Sequence, residues 1–233
     1  MRFRAPTRAS SSVASARPLA TVLALVAMLV LAGCSTNAAP KPVAGSGATT
    51  SDVRPVGGFT SISASGGLNL VVASGDVATV KVTAQSNLLP YVRTQVSNGQ
   101  LSATILDPGI TSDKAITVAV TIPRLTSLTL DGGVTGTMEL TTDMLAVSLS
   151  GGATLQAIGS VTQLAVTAQG GAQARLGDLA TDSATVTLGG GAQVTLHVKT
   201  AVTGSADGGA TLTLTTKPAS MTVTTNGGAV VGG

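Results

Sequence analysis

Three kinds of side chain in this 233-residue sequence could carry chemistry: one cysteine, one histidine and ten carboxylates. His197 stands between Leu196 and Val198 in an alternating stretch, which puts it on the outward side of a strand. Acid or base catalysis would need a nucleophile or an orienting carboxylate beside it. The neighbours Lys199 and Thr215, and Arg175 or Gly177 one repeat earlier, supply neither. Asp131 and Asp207 occupy the same position of a repeat described below, four repeats apart. At about 4.8 Å per stacked strand they lie roughly 19 Å apart, beyond the roughly 5 to 9.5 Å of glycosidase pairs, and bonding to the turn backbone is the simpler role. Asp107 and Asp113 in LDPGITSDK could flank a cation, but a loop of turn formers accounts for them equally well. No aspartate recurs after the glycine pairs as calcium β-rolls require, and the chain has no Cys/His cluster or GxSxG elbow. The expectation is a protein that is not an enzyme, with no cofactor and no metal.

The cysteine is different. Cys34 follows Leu31, Ala32 and Gly33, a tetrapeptide that resembles the bacterial lipobox, in which small residues admit a peptidase to the bond before a diacylglyceryl-modified cysteine. Upstream, Arg2, Arg4, Arg8 and Arg17 precede an uncharged apolar run from Leu19 to Leu31, the pattern of a secretory signal. The run is short of the roughly 20 apolar residues of a membrane span. Residues 1–33 are therefore expected to be a signal peptide, cleaved between Gly33 and Cys34, with Cys34 as the membrane anchor. The location implied is the outer face of the cell membrane, or the outer membrane in a Gram-negative host.

Removing that leader changes the charge. Four of the 13 basic residues lie in it, leaving nine against all ten acidic ones. The remainder has no Lys/Arg cluster to neutralise phosphates and only Phe59 and Tyr91 as aromatics, which argues against nucleic acid. Burial must come from Ala, Val, Leu, Ile and the methyl groups of Thr, which suit a narrow interior. A lone cysteine allows no internal disulfide.

Residues 34–56 are rich in Ser, Thr, Ala, Gly and Pro and read as a flexible tether, and residues 57–233 as the folded domain. Strand-like alternation begins at FTSISA, breaks at Gly66 and Gly67, and resumes in LNLVVA and VATVKVTA. After a loop or helical turn around Pro90, SNGQ reads as a hairpin turn between VRTQV and LSATI.

From about Ile116 the sequence becomes periodic. Pairs Gly132 and Gly133, Gly151 and Gly152, Gly170 and Gly171, Gly190 and Gly191, Gly208 and Gly209, and Gly227 and Gly228 recur at intervals of 19, 19, 20, 18 and 19. Such a unit is too short for a β-α-β crossover but long enough for one coil of two or three strands. The fold class expected is all-β: a parallel β-helix-like solenoid of about 19 residues per coil with a more irregular N-terminal strand region. Aligned on the pairs, the next residues form a small inward ladder of Val134, Ala153, Ala172, Ala192, Ala210 and Ala229. Thr135, Thr154, Gln173, Gln193 and Thr211 face outward. The glycines are expected to be structural corners, since no phosphate-cradling motif accompanies them.

The order of these elements, from GFTSISASGGLNLVVASGD through VKVTAQSNLLPYVRTQVSNGQL to ITVAVTIPRLTSLTLDGG, resembles the "head GIN" domain of autotransporter adhesins over about residues 52 to 231. That resemblance implies a solenoid at the cell surface with an adhesin role, and it carries over no binding residue. An unidentified surface glycan or protein is the expected partner, and a carbohydrate-active enzyme on a β-helix scaffold is the alternative. The sixth glycine pair is followed by no polar cap, from which self-association through the C-terminal end of the solenoid is expected.

Overall fold

Val, Thr, Ile and Leu alternate with small polar residues through most of the chain, and β-branched residues favour extended backbone with side chains on opposite faces. The computed structural model describes residues 41–106 and 109–233, a single compact unit from Lys41 onward. Among the described residues no helix is long and apolar enough to cross a membrane.

The early strands are β1 (Val43–Ala44), β2 (Thr49–Arg54), β3 (Ser61–Ser65), β4 (Asn69–Ser74) and β5 (Thr79–Gln85). A 3-10 turn at Leu89–Tyr91 leads to β6 (Val92–Ser97), β7 (Gln100–Ile105), β8 (Ile110–Thr111), β9 (Thr117–Ile122) and β10 (Ser127–Asp131). Long strands follow: β11 (Thr135–Leu149), β12 (Thr154–Ala168), β13 (Gln173–Leu188) and β14 (Gln193–Ala206). The last are β15 (Thr211–Leu214), β16 (Ser220–Thr225) and β17 (Val230–Gly232). The hairpin expected at SNGQ joins β6 to β7 antiparallel, with Asn98 and Gly99 both at positive φ as such a tight turn requires.

From β10 onward each coil stacks parallel on the one before it. The all-β solenoid expected from the sequence is the observed architecture. The long strands bend where two consecutive residues both face out, as Asp143 and Met144 do in β11 and Thr162 and Gln163 in β12. The remaining corner is the glycine pair. The first glycine of each of the six pairs has φ between +58° and +74°, where a side chain would be strained. Close approach adds to this: a β-carbon on Gly190 would lie 3.0 Å from the Gly170 nitrogen. The corners also hydrogen-bond along the stack, Gly152, Gly171 and Gly191 N–H donating to Gly132, Gly151 and Gly170 carbonyls at 2.9, 2.9 and 2.8 Å.

Two features were not legible in the period. First, β3 and β4, joined by Gly66 and Gly67, form a coil of the same kind, but it lies between two coils that come later in the chain. β3 pairs with β7 on one side and β10 on the other, and β4 with β9 and β11. Leu68 thereby takes the inward position of Val134, its carbonyl accepting from Thr135 N–H as the Val134 carbonyl accepts from Thr154 N–H. Second, the described part of the stretch expected as a tether, residues 41–56, carries two strands. β1 pairs with β8, and β2 lies antiparallel on β5. Pairing of backbone groups with an open sheet edge holds β2, so it needs few large apolar side chains. The Ser51 and Thr83 hydroxyls bond at 2.7 Å, and Asn87 accepts from Ser46 N–H and donates to Ala44 O.

The core is one column of inward side chains running the length of the stack. Leu128, Val147, Val166 and Val186 lie in register on successive coils, all buried. Burying a Val or Leu contributes about 1.5 to 3 kcal/mol, so each coil is held mainly by its neighbours.

Candidate functional site

Gly33 and Cys34 lie outside the described residues. All six glycine pairs fall at the corner, where the Gly152, Gly171 and Gly191 amides donate along the stack. His197 faces outward and is half-buried, but its neighbour differs from the expected Arg175 or Gly177. Coil β13 carries one more residue than those before it, the register shifts between Leu176 and Ala180, and His197 pairs with Ala180. Asp107 lies outside the described residues, and Asp113 is exposed. Among the described residues no three His, Cys, Asp or Glu side chains gather at one point that could hold a metal.

Asp131 and Asp207 do not bond the turn backbone as expected. The Ser150 hydroxyl donates to the Asp131 carboxylate one coil below it, and the Asn226 amide donates to the Asp207 carboxylate at 2.9 Å. Both bonds run between equivalent positions of adjacent coils, 19 residues apart in sequence, so stacking itself supplies the partners.

Two surface features remain. The first is a ladder of hydroxyls on the sheet that precedes the glycine corner. Ser102, Ser63, Thr129, Ser148, Thr167, Thr187, Ser205 and Thr224 lie in register on β7, β3, β10, β11, β12, β13, β14 and β16. At about 4.8 Å per strand the row is roughly 34 Å long. Beside it, two residues nearer the start of each strand, runs a second outward row that ends in Thr185, Thr203 and Thr222. Neither row carries a charge. Alignment on the glycine pairs hides the first two members, because β3 and β7 sit outside the period.

The second feature is a polar groove of about 420 Å³ where the coils bend, lined by Arg124, Thr142, Asp143, Ser160, Asp182 and Lys199. Lys199 and Asp182 pair at 3.4 Å, both about half exposed or more. The sequence columns showed no such grouping, since these residues lie at the bends between the aligned strands. A smaller groove of about 300 Å³ shares Arg124 with it, is lined also by Thr126, Met144, Ala146, Gln163 and Thr185, and reaches the second outward row at Ala146 and Thr185.

Among the described residues the geometry is that of a narrow β-solenoid with a long uncharged hydroxyl face and open grooves. The chain belongs to the family described as "Putative auto-transporter adhesin, head GIN domain", whose model matches residues 58–218. Among solved structures, a putative adhesin from Bacteroides fragilis NCTC 9343 is similar with a TM-score of 0.63 and 15% identity, covering 82% of this chain and 99% of that one. A putative lipid binding protein from Parabacteroides distasonis ATCC 8503 is similar with a TM-score of 0.53 and 11% identity, covering 82% of this chain and 99% of that one. At these identities the likeness carries the fold. No curated protein matches the chain.

Proposed function

We propose that this chain is an exported, lipid-anchored binding module whose hydroxyl face engages a surface glycan. In this reading residues 1–33 direct export, Cys34 carries the lipid, and the solenoid is held outside the membrane. The observation that carries it is the unbroken row of serine and threonine hydroxyls from Ser102 to Thr224. Each hydroxyl is both donor and acceptor, as are the hydroxyls of a polysaccharide, and the repeat spacing lets one extended chain make the same contact many times. Absence of charge on the rows favours a neutral polyol over an acidic or basic partner. Family membership supports a partner at the cell surface. Binding to purified cell-wall and capsular polysaccharides, compared between the protein and variants of the face, tests it.

The polar groove favours one second reading, a carbohydrate-active enzyme. Asp143 and Asp182 are set two coils apart, roughly 10 Å, at the outer limit for an inverting pair. Against it, Asp182 already pairs with Lys199 in an open groove, both side chains at least half exposed to water.

A further inference from the structure

The two ends of the coil stack are built differently. At one end the sheets are closed by antiparallel strands, β6 on β7 and β2 on β5, and these edges carry charge: Asp52 and Arg54 on β2, Arg93 on β6. Charged side chains on edges block pairing with other chains. At the other end β16 pairs only with β14 and β17 only with β15 among the described residues. No charged side chain occurs after Lys217.

The core runs out through this end. Met221, Val223 and Thr225 lie in register with Val202, Gly204 and Ala206, so they occupy inward positions. Met221 is nevertheless 53% exposed. Val223, Ala229 and Val231 pack against the core with one side only. Asn226 N–H donates to the Ala206 carbonyl, so alternation turns the even-numbered amides of β16 toward β14. The N–H and C=O groups of Met221, Val223 and Thr225 face the open edge.

We propose that this edge pairs with the same edge of a second copy of the chain, β16 against β16 in antiparallel register about a two-fold axis at Val223. Such an axis keeps inward residues inward, so each copy closes the other's core. It also sets Val223 opposite its equivalent and Met221 opposite Thr225, the residues whose backbone groups face out, which is the hydrogen-bonded arrangement of an antiparallel pair. A two-fold contact brings the side chains at its axis near their own copies, and a segment without charge is the kind that tolerates this. The closed, charged end offers no such edge, so pairing stops at two copies. Because the chain enters the stack at the closed end, the contact lies at the far end, about 38 Å of stacked strands away. If Cys34 anchors the chain as proposed above, copies on two facing membranes meet tip to tip.

The test uses the full chain, expressed in a bacterial envelope and extracted in detergent, with the intact mass recording separately whether Cys34 carries lipid. Sedimentation should show a concentration-dependent dimer. Val223→Cys should form a disulfide between the two copies at that position under mild oxidation, since the Cα atoms of such a pair lie about 5.5 Å apart. Val223→Pro removes an amide that β14 does not use and should weaken the dimer by about tenfold or more while the strand circular dichroism is kept. Met221→Lys, which leaves every backbone donor in place, should weaken it similarly by burying a charge. A strictly monomeric protein, a disulfide that forms only through Cys34, or two variants that dimerise as tightly as the parent would overturn the proposal. A missing lipid with an intact dimer would sink the anchor alone.

Discussion

A β-carbon placed on Gly132 would lie 3.8 Å from the backbone nitrogen of Gly66, although the two residues are far apart in sequence. Gly66 and Gly67 turn the chain at the same corner as the six periodic pairs, one coil below Gly132. Gly66 has φ +88°, whereas Gly67 has neither a positive φ nor any atom within 4 Å of where its β-carbon would stand.

That contrast predicts unequal costs within the Gly66 and Gly67 pair. Gly66→Ala should destabilise by about 1 to 2 kcal/mol, and Gly67→Ala by less than about 0.5 kcal/mol. Gly190→Ala should cost more, about 3 kcal/mol, because the strain at φ +66° is joined by a 3.0 Å approach to the Gly170 nitrogen that disturbs the amide ladder. Urea midpoints at constant slope measure all three. Equal midpoints for the Gly66 and Gly67 variants would contradict the corner assignment.

Inward and outward rows of one strand should differ as sharply. Leu155, fully buried between Gly136 and Ala174, should lose about 2 to 5 kcal/mol on change to Ala. Thr167→Ala on the outward row of the same strand should stay within about 0.5 kcal/mol. The same denaturation series checks both, and a large loss at Thr167 would mean the hydroxyl row is structural.

How much of this was legible depends on what each residue touches. From Gly132 onward every coil contacts the coil next to it in sequence, so a local period writes the stacking, the inward alanine ladder and the corners directly into the chain. The β3–β4 coil broke that rule: Leu68 and Gly66 touch residues that arrive much later, and no period can announce such a neighbour. β2 was hidden for another reason, since Thr49–Arg54 is held by backbone pairing and leaves no apolar signal. The grouping of Asp143, Asp182 and Lys199 was missed because bends, unlike strands, do not keep a fixed offset from the glycine pairs when coil length changes from 19 to 20 or 18 residues.

The anchor makes its own prediction. Mass spectrometry of the exported protein should find an N-terminal Cys34 bearing a diacylglyceryl group, and Cys34→Ser should move the protein from the membrane fraction to the medium or periplasm. An unmodified Cys34 in a membrane-bound protein would remove the lipid from the account.

At the bend, the Lys199–Asp182 pair is solvent-exposed, so Asp182→Asn should change stability by less than about 1 kcal/mol. The protein should release no reducing ends from the polysaccharides it binds. Hydrolysis that disappears in Asp182→Asn or Asp143→Asn would establish the enzymatic reading instead.

The most direct test of the hydroxyl face is a binding isotherm on purified cell-wall and capsular polysaccharides for the parent and for the double variant Thr167→Arg, Thr187→Arg, with Thr137→Arg, Gln156→Arg as a control on the opposite sheet. Two bulky charges at the centre of the row should lower affinity at least about tenfold, equivalent to about 1.4 kcal/mol, while the control pair leaves it within about twofold. A parent protein that binds none of these polysaccharides, or a double variant that binds as tightly as the parent, would contradict the account.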